Sequence, residues 1–134
     1  MHGSCVAIEG KAVVIAGRSG SGKSALALEL MSRGAELVAD DQVILRDQDD
    51  QLFARAPEAL RDKIEARFVG LLRAESVSDV VVQLWVDLDH AERDRLPQQH
   101  TIKCLGVKLP LLFAVSSPHF ASAILQYLKH GRYA

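Results

Sequence analysis

Residues 17 to 24 read Gly17-Arg18-Ser19-Gly20-Ser21-Gly22-Lys23-Ser24 and match G-x-x-x-x-G-K-[ST] at every defined position. Glycines let successive backbone N–H groups turn inward around phosphate oxygens, and the positive end of a following helix adds to their field. In such a loop the lysine bridges the β- and γ-phosphates, and the serine hydroxyl binds the accompanying Mg²⁺. The alternative is a glycine-rich turn without a ligand, which the lysine, the serine and the flanking elements argue against. These residues therefore predict a binding site for ATP and Mg²⁺.

The segments around this loop follow the order strand, loop, helix, strand. Residues 12–16 are a continuous apolar run, and the alternating residues 4–8 precede them as the first arm of a hairpin. Residues 24–31 are strong helix formers, and Arg33-Gly34 is a typical helix end. Residues 36–39 suit a second strand, which we expect to lie parallel beside the strand that feeds the loop. The order predicts an α/β core.

The rest of the chain predicts further strands and two helices. Residues 65–72 are compatible with either loop or strand. The fold that we predict is a P-loop-containing mixed sheet with flanking helices, in a single domain of residues 1–134. The expected elements are a hairpin of Val43–Leu45 and Leu52–Ala54 with the exposed tip Asp47–Gln51, a short helix from Pro57 through Leu60 and Ile64, strands Val80–Val86 and Leu111–Val115 with the charged connection Ala91–Leu96 between them, and a last helix capped by Ser117 and opened by Pro118.

Composition and charge exclude several classes of protein. The 134 residues are 49% hydrophobic and carry a net charge of -1, so no field favours nucleic acid or an anionic membrane. No apolar run reaches the length of a membrane span, and the first residues lack the pattern of a secretory signal. Cys5 and Cys104 lie far apart and belong to no metal-binding pattern. We expect a cytoplasmic protein.

Asp40 and Asp41 end the second predicted strand, at the carboxyl edge of the sheet where ligands bind. Two adjacent acids at this point can divide the work, one holding Mg²⁺ and the other accepting the proton of an attacking hydroxyl. We favour Asp40 as the base, which leaves Asp41 to the metal. The alternative is an exposed acidic turn. Asp87 and Asp89 follow another buried strand and are a less favoured source of the metal-binding acid.

Four further stretches of sequence add detail beyond the phosphate loop. His2-Gly3 opens the first strand, and Leu37-Val38-Ala39-Asp40-Asp41-Gln42-Val43 follows the lysine at a fixed distance. Ala56-Pro57-Glu58 precedes Ile64-Glu65-Ala66-Arg67-Phe68-Val69-Gly70, which looks like an E-I-R-G-L-G signature. Together with the loop, these stretches resemble the C-terminal catalytic domain of the HPr kinase/phosphorylase family over roughly residues 2–72.

The resemblance implies an enzyme that phosphorylates a serine of the phosphocarrier protein HPr or a homologue with ATP, and removes that phosphate with inorganic phosphate. It implies that Lys23 and Ser24 handle nucleotide phosphates and Mg²⁺, and that Asp40 is general base and acid. His2 is then placed by the phosphate site. Glu65 and Arg67 belong to the signature segment, and the resemblance implies a metal-binding role for the first and a catalytic role for the second. It also implies a homohexamer.

Two departures from the family pattern affect this expectation. Phe68-Val69 stands where the family usually has Gly-Leu, which leaves the dephosphorylation activity open. The family's arginine- and glycine-bearing C-terminal signature has no counterpart after Lys108-Leu109-Pro110. Because the N-terminal domain of longer members has no counterpart either, we expect a short, single-domain member. The alternatives are a small-molecule P-loop kinase and a non-catalytic module that senses ATP.

Overall fold

The hairpin predicted at the start of the chain is present, and the computed structural model, which describes residues 1–134, builds a mixed sheet around it. The tight turn between its strands is formed by Glu9 and Gly10, both with positive φ, the geometry that suits a two-residue hairpin turn. Ten strands and two α-helices make up the fold: β1 (Ser4–Ile8), β2 (Lys11–Ala16), α1 (Lys23–Ser32), β3 (Glu36–Ala39), β4 (Ile44–Gln48), β5 (Gln51–Arg55), β6 (Lys63–Ala66), β7 (Gly70–Arg73), β8 (Val80–Ala91), β9 (His100–Cys104), β10 (Val107–Ala114) and α2 (Phe120–His130).

The main sheet has the strand order β3-β1-β2-β8-β10-β9, and β5 and β4 extend from β8. The predicted mixed sheet with flanking helices is confirmed. The prediction that β3 lies directly beside β2 is wrong, because β1 lies between them and pairs antiparallel with both. Two antiparallel pairings leave β3 parallel to β2, so both strands still deliver their carboxyl ends to the same edge of the sheet. The parallel neighbour of β2 is β8.

Two apolar clusters cover the two faces of the sheet. Val13 and Ile15 of β2 point to one face, where they belong to a cluster that includes residues of both helices. The alternate residues Ala12 and Val14 point to the other face, where they pack in a cluster with Leu52 and other apolar residues. A strand buried on both faces needs a continuous apolar run, which explains the pattern of residues 12–16. The last predicted helix closes the core through Ile124 and its neighbours.

Several predicted bounds need correction. The helix expected from Pro57 to Ile64 is only a 3₁₀ turn at Glu58–Leu60, because Asp62 takes a positive φ and the chain continues as a strand. Residues 65–72, left between loop and strand, contain parts of the strands β6 and β7 and the turn 67–69 that joins them into a separate hairpin. The strand predicted to end at Val86 continues to Ala91.

The end of the chain also differs from the sequence prediction in two places. Strand β9 was not predicted, and it forms one edge of the sheet by pairing with β10. Helix α2 has His119 as its N-cap, with no side-chain cap bond, so the predicted cap by Ser117 is wrong. The hydroxyl of Ser117 contacts the His119 ring instead.

Candidate phosphate and carboxylate site

The glycine-rich loop joins the end of β2 to the start of α1 at the carboxyl edge of the sheet. Gly17 is required by a close approach, because a Cβ at this position would lie 2.5 Å from Ser21 Oγ. Gly22 is the N-cap of α1 and takes φ 97°, a conformation that side chains rarely adopt. These two glycines set the path of the loop, and the N-terminus of α1 faces its interior.

Lys23 is buried, with 7% of its surface exposed, and its ammonium group lies inside the loop. Its Nζ donates to the backbone oxygens of Gly17 and Arg18, each at 2.8 Å. A buried ammonium group requires such partners. The two carbonyl groups fix the position of the ammonium charge inside the loop.

Ser21 supplies an independent indication of a ligand within the loop. Its hydroxyl oxygen is buried and has no hydrogen-bond partner in the protein. Buried polar atoms are nearly always satisfied, so an orphaned hydroxyl in a loop of this shape fits a bound polar group. At Gly20 and Gly22 an added Cβ would meet no atom within 4 Å, so the space beside the loop is open. The loop therefore fits the phosphates of a nucleotide.

Asp40 joins four elements at one carboxylate. Its Oδ1 accepts hydrogen bonds from the hydroxyls of Ser4 and Ser24, each at 2.7 Å, and its Oδ2 accepts from the backbone N–H of Glu65 at 3.1 Å. These donors come from β1, α1 and β6, while Asp40 itself follows β3. Only 5% of its surface is exposed. The carboxylate thus faces the loop serine that the motif assigns to Mg²⁺.

Asp41 differs sharply from Asp40 in exposure. It takes φ 71°, and 63% of its side chain is exposed. Its Oδ1 lies 3.5 Å from Nδ1 of His2, which bridges to Gln42 just before β1 begins. The expectation that the start of the chain lies beside the loop strand is confirmed. Both acids follow the end of β3, and the left-handed backbone at Asp41 turns its side chain toward solvent while that of Asp40 stays buried.

Glu65 and Arg67 lie opposite the loop, on the β6–β7 hairpin, and both are exposed. They line a cavity of about 400 Å³ whose other walls include the loop and the start of the chain. The residues of this cavity that the sequence singled out are His2, Ser19, Gly20, Gly22, Lys23, Ser24, Asp41, Glu65 and Arg67. The fold therefore brings His2, the glycine-rich loop, Asp41 and the signature segment to one site.

The loop is also held from behind by a residue whose role the sequence reasoning did not identify. Both carboxylate oxygens of Asp89 accept the backbone N–H of Arg18 at 3.1 Å, and the Arg18 side chain at the loop tip approaches the same group at 3.9 Å. Asp87, in turn, contacts the ring of His90 at 2.7 Å. Neither acid contacts Ser24. The signal was present, because both acids follow the apolar part of β8, but the place of β8 beside β2 depends on pairing between distant segments.

The donors at the site suit Mg²⁺ better than a metal held by protein alone. No group of three or more His, Cys, Asp or Glu side chains in the chain is arranged to hold a metal ion. The available oxygens are the Ser24 hydroxyl and the carboxylates of Asp40 and Asp41. Mg²⁺ typically binds through one or two such ligands together with substrate phosphates and water. The residues present therefore fit Mg²⁺ that arrives with a nucleotide.

Cys5 lies next to Ser4 on β1 but takes no part in the site. Complete burial raises the pKa of its thiol far above the usual range. Only the thiolate is an effective nucleophile, so this cysteine is unreactive and serves as a core residue.

Neither helix of the chain has the length and hydropathy that crossing a bilayer requires.

Known proteins share both the sequence pattern and the fold. The model of the HPr serine kinase C-terminal domain matches residues 1–118. The HPr kinase/phosphorylase of Caldicellulosiruptor bescii is 38% identical across 92% of this chain and 44% of that protein. The enzyme of the same name from Levilactobacillus brevis is 40% identical across 69% of this chain and 34% of its own length. The chain thus spans less than half the length of these curated relatives.

A solved structure gives the same result for the fold. The HPr(Ser) kinase/phosphatase from Coxiella burnetii superimposes with a TM-score of 0.79, covering 96% of this chain and 93% of the other, at 22% sequence identity. This likeness shows a common fold, and the family match extends over the loop, both carboxylates and the β6–β7 hairpin. The chain belongs to the family of HPr serine kinase C-terminal domains.

Proposed function

We propose that this chain is the catalytic domain of a kinase that transfers the γ-phosphoryl group of ATP to a serine of HPr or a similar phosphocarrier. The observation that carries the proposal is the 2.7 Å hydrogen bond from Ser24 to the buried Asp40, beside a lysine held inside a phosphate loop. The names of the curated relatives supply the acceptor. The resemblance of the sequence to the HPr kinase/phosphorylase family also supports a cytoplasmic homohexamer, with residues 1–134 as one domain.

The loop and the residues that face it have distinct roles in this proposal. The loop N–H groups and Lys23 hold the β- and γ-phosphates, where their positive charge stabilises the negative charge of the transition state. Ser24 and Asp40 form the side of the site that holds Mg²⁺. When bound, Mg²⁺ neutralises phosphate charge. Arg67, exposed across the cavity from the loop, offers a second cation to the transferring group, and Glu65, on the same side of the cavity, offers a further carboxylate to the metal.

The contacts favour a division of the two acids opposite to the one that the sequence suggested. Asp40 is buried and already accepts three hydrogen bonds, so its oxygens are directed at Ser24 rather than at an incoming substrate. Asp41 is exposed and lines the cavity. We therefore assign proton acceptance to Asp41, with His2 beside it as the group that orients its carboxylate. Asp40 is then a positioning residue for the metal side.

The reaction that follows is a direct displacement. The serine oxygen of the acceptor forms a bond to the γ-phosphorus, the bond to the β,γ-bridging oxygen of ATP breaks, and ADP leaves with that electron pair. The proton of the serine hydroxyl passes to Asp41. Little covalent chemistry is required of the protein, so most of the rate enhancement comes from positioning and electrostatic stabilisation. In dephosphorylation, an oxygen of inorganic phosphate would attack the phosphorus of the phosphoserine and the bond from that phosphorus to the serine oxygen would break. Pyrophosphate would form, and Asp41 would give its proton to the serine oxygen.

The test is phosphoryl transfer from Mg-ATP to an HPr-type phosphocarrier, followed by the intact mass of the carrier. We expect the wild-type protein to add one phosphate and Lys23→Ala to add none, since the variant lacks the central cation of the loop. Asp41→Asn should lower kcat by 10²-fold or more, the usual size of a general-base contribution, while ATP still binds. Asp40→Asn should instead raise the Mg²⁺ concentration needed for half-maximal activity.

Asp47→Asn is the matched control, because it removes one exposed carboxylate at the tip of the β4–β5 hairpin, away from the site. Its kinetics should equal those of the wild type. A wild-type protein that binds ATP tightly but transfers phosphate to no carrier would contradict the proposal and favour the ATP-sensing module. Transfer to a metabolite instead would favour the small-molecule kinase. Normal kcat in Asp41→Asn would refute its assignment as the base.

A further inference from the structure

The tip of the β6–β7 hairpin exposes apolar side chains that the folded chain does not use. Phe68 is 101% exposed, Val69 is 74% exposed and Leu71 is 67% exposed. We call these three residues the hairpin-tip patch. Phe68 and Val69 lie in the turn, where polar residues are usual, and Leu71 follows in β7. Scattered single apolar residues on a surface are ordinary, whereas a contiguous patch indicates a binding surface.

Phe68 is also in an unfavourable backbone conformation. Its φ is 69°, a left-handed conformation that glycine adopts freely and that aromatic residues rarely adopt. Neither local conformation nor packing in this chain favours phenylalanine at this position. Strain of this kind concentrates at functional sites, so the ring is explained by a contact with another molecule.

The hairpin-tip patch is continuous with the phosphate site. A cavity of about 650 Å³ is lined by all three patch residues together with Asp41 and Glu65. Asp41, Glu65 and Val69 also line the smaller cavity beside the loop. A molecule that covers the patch therefore reaches the carboxylate that we assign to proton acceptance, and its own reacting hydroxyl can lie there.

The size and charge of the surface distinguish between possible occupants. Three exposed side chains present roughly 400 Å² of apolar surface, which is about half of what each partner of a stable dimer buries. A second copy of the chain is therefore disfavoured, and a transient partner fits better. The cavity under the patch is lined by the acidic Asp40, Asp41 and Glu65 and the basic Lys63, so the three apolar side chains, rather than a basic charge, define what the surface selects.

We infer that the hairpin-tip patch is the docking surface for the acceptor polypeptide, and that it selects an apolar side chain next to the phosphorylated serine. The inference rests on the proposed kinase function and names the feature of the acceptor that this chain reads. The ring of Phe68 packs against the apolar side chain, and the neighbouring serine is thereby placed at Asp41.

The experiment uses two synthetic peptides that share one serine and the same uncharged flanking residues and differ only in leucine or asparagine beside the serine. Binding to the ADP-loaded protein is followed by NMR. The wild-type protein should bind the leucine peptide about tenfold more tightly, the effect expected from partial burial of one leucine. Phe68→Asn should lose this preference, because asparagine tolerates the left-handed conformation but presents no apolar surface.

Leu105→Asn is the matched control. Leu105 is likewise apolar, half exposed and at positive φ, but it lies in the β9–β10 turn, outside both cavities at the site. The Leu105→Asn variant should keep the preference for the leucine peptide. Equal affinity of the wild-type protein for the two peptides would overturn the inference, as would a preference unchanged in Phe68→Asn.

Two further readouts separate this inference from others. Self-association of the wild-type protein that Phe68→Asn abolishes would overturn the inference, since the patch would then be an interface between copies. Failure of the wild-type protein to phosphorylate any carrier would contradict the kinase proposal, whereas the peptide preference tests the docking surface without requiring turnover. In the transfer assay, Phe68→Asn should raise KM for the carrier about tenfold and leave kcat and ATP affinity unchanged.

Discussion

Replacing Phe68 by glycine should stabilise the protein, although it removes a large apolar side chain. The ring is fully exposed, so the substitution forfeits no packing. The left-handed conformation costs a residue with a side chain about 1–2 kcal/mol, which glycine avoids. Glycine in turn loses about 0.5–1 kcal/mol of additional conformational freedom on folding. The net expectation is a gain of about 0.5–1 kcal/mol in the free energy of unfolding.

Urea and thermal unfolding followed by circular dichroism measure this gain. For a domain of this length, the expected rise in Tm is about 2–5 °C. Leu105→Gly is the reference, since Leu105 has φ 48° but is only 55% exposed and loses some packing when removed. Its gain should be smaller. A lower Tm for Phe68→Gly would refute the reasoning, because it would mean that the ring stabilises the folded chain by itself.

Two further predictions concern protonation and accessibility. The hydroxyl of Ser76 hydrogen bonds to Asp62 and holds the pKa of that carboxyl below its usual value, so Ser76→Ala should raise it. The hydrogen bond stabilises the folded state at neutral pH, and this stabilisation is lost as pH falls through the lowered pKa. NMR titration of the Asp62 carboxyl in both proteins would measure the change. An unchanged pKa in Ser76→Ala would contradict the prediction. A thiol reagent at pH 8 should modify the partly exposed Cys104 well before Cys5, whose burial raises its pKa; modification of both at one rate would contradict it.

The position of the glycine-rich loop between a strand and a helix was predictable because its information is local. Eight consecutive residues define the loop, and the apolar run before it and the helix formers after it fix the flanking elements. The pairing of β1 between β2 and β3 was not predictable in this way. Strand partners are chosen by contacts between distant segments, and the order strand, loop, helix, strand is equally compatible with direct pairing. The shared edge was nevertheless correct, since β3 remains parallel to β2.

The parts that the sequence analysis missed lack local signals. The β6–β7 hairpin turns at Phe68 and Val69, where no asparagine or glycine marks a turn until Gly70. Strand β9 is short, and its inward side chains are only partly buried and include a histidine, so its sequence does not distinguish it from a loop. The different exposure of Asp40 and Asp41 follows from the positive φ at Asp41, which adjacent identical residues cannot reveal.

The position of β1 has a consequence for the order of folding. β1 and β2 are joined by a two-residue turn, and hairpins of this kind form within microseconds because their contacts are close in sequence. β3 can complete the site only by adding to the free edge of that hairpin. The edge of β1 to which β3 adds, and with it Asp40 and Asp41, is thus available early. Closure around Asp40 should follow, once β6 delivers the N–H of Glu65 from a segment 25 residues further along the chain.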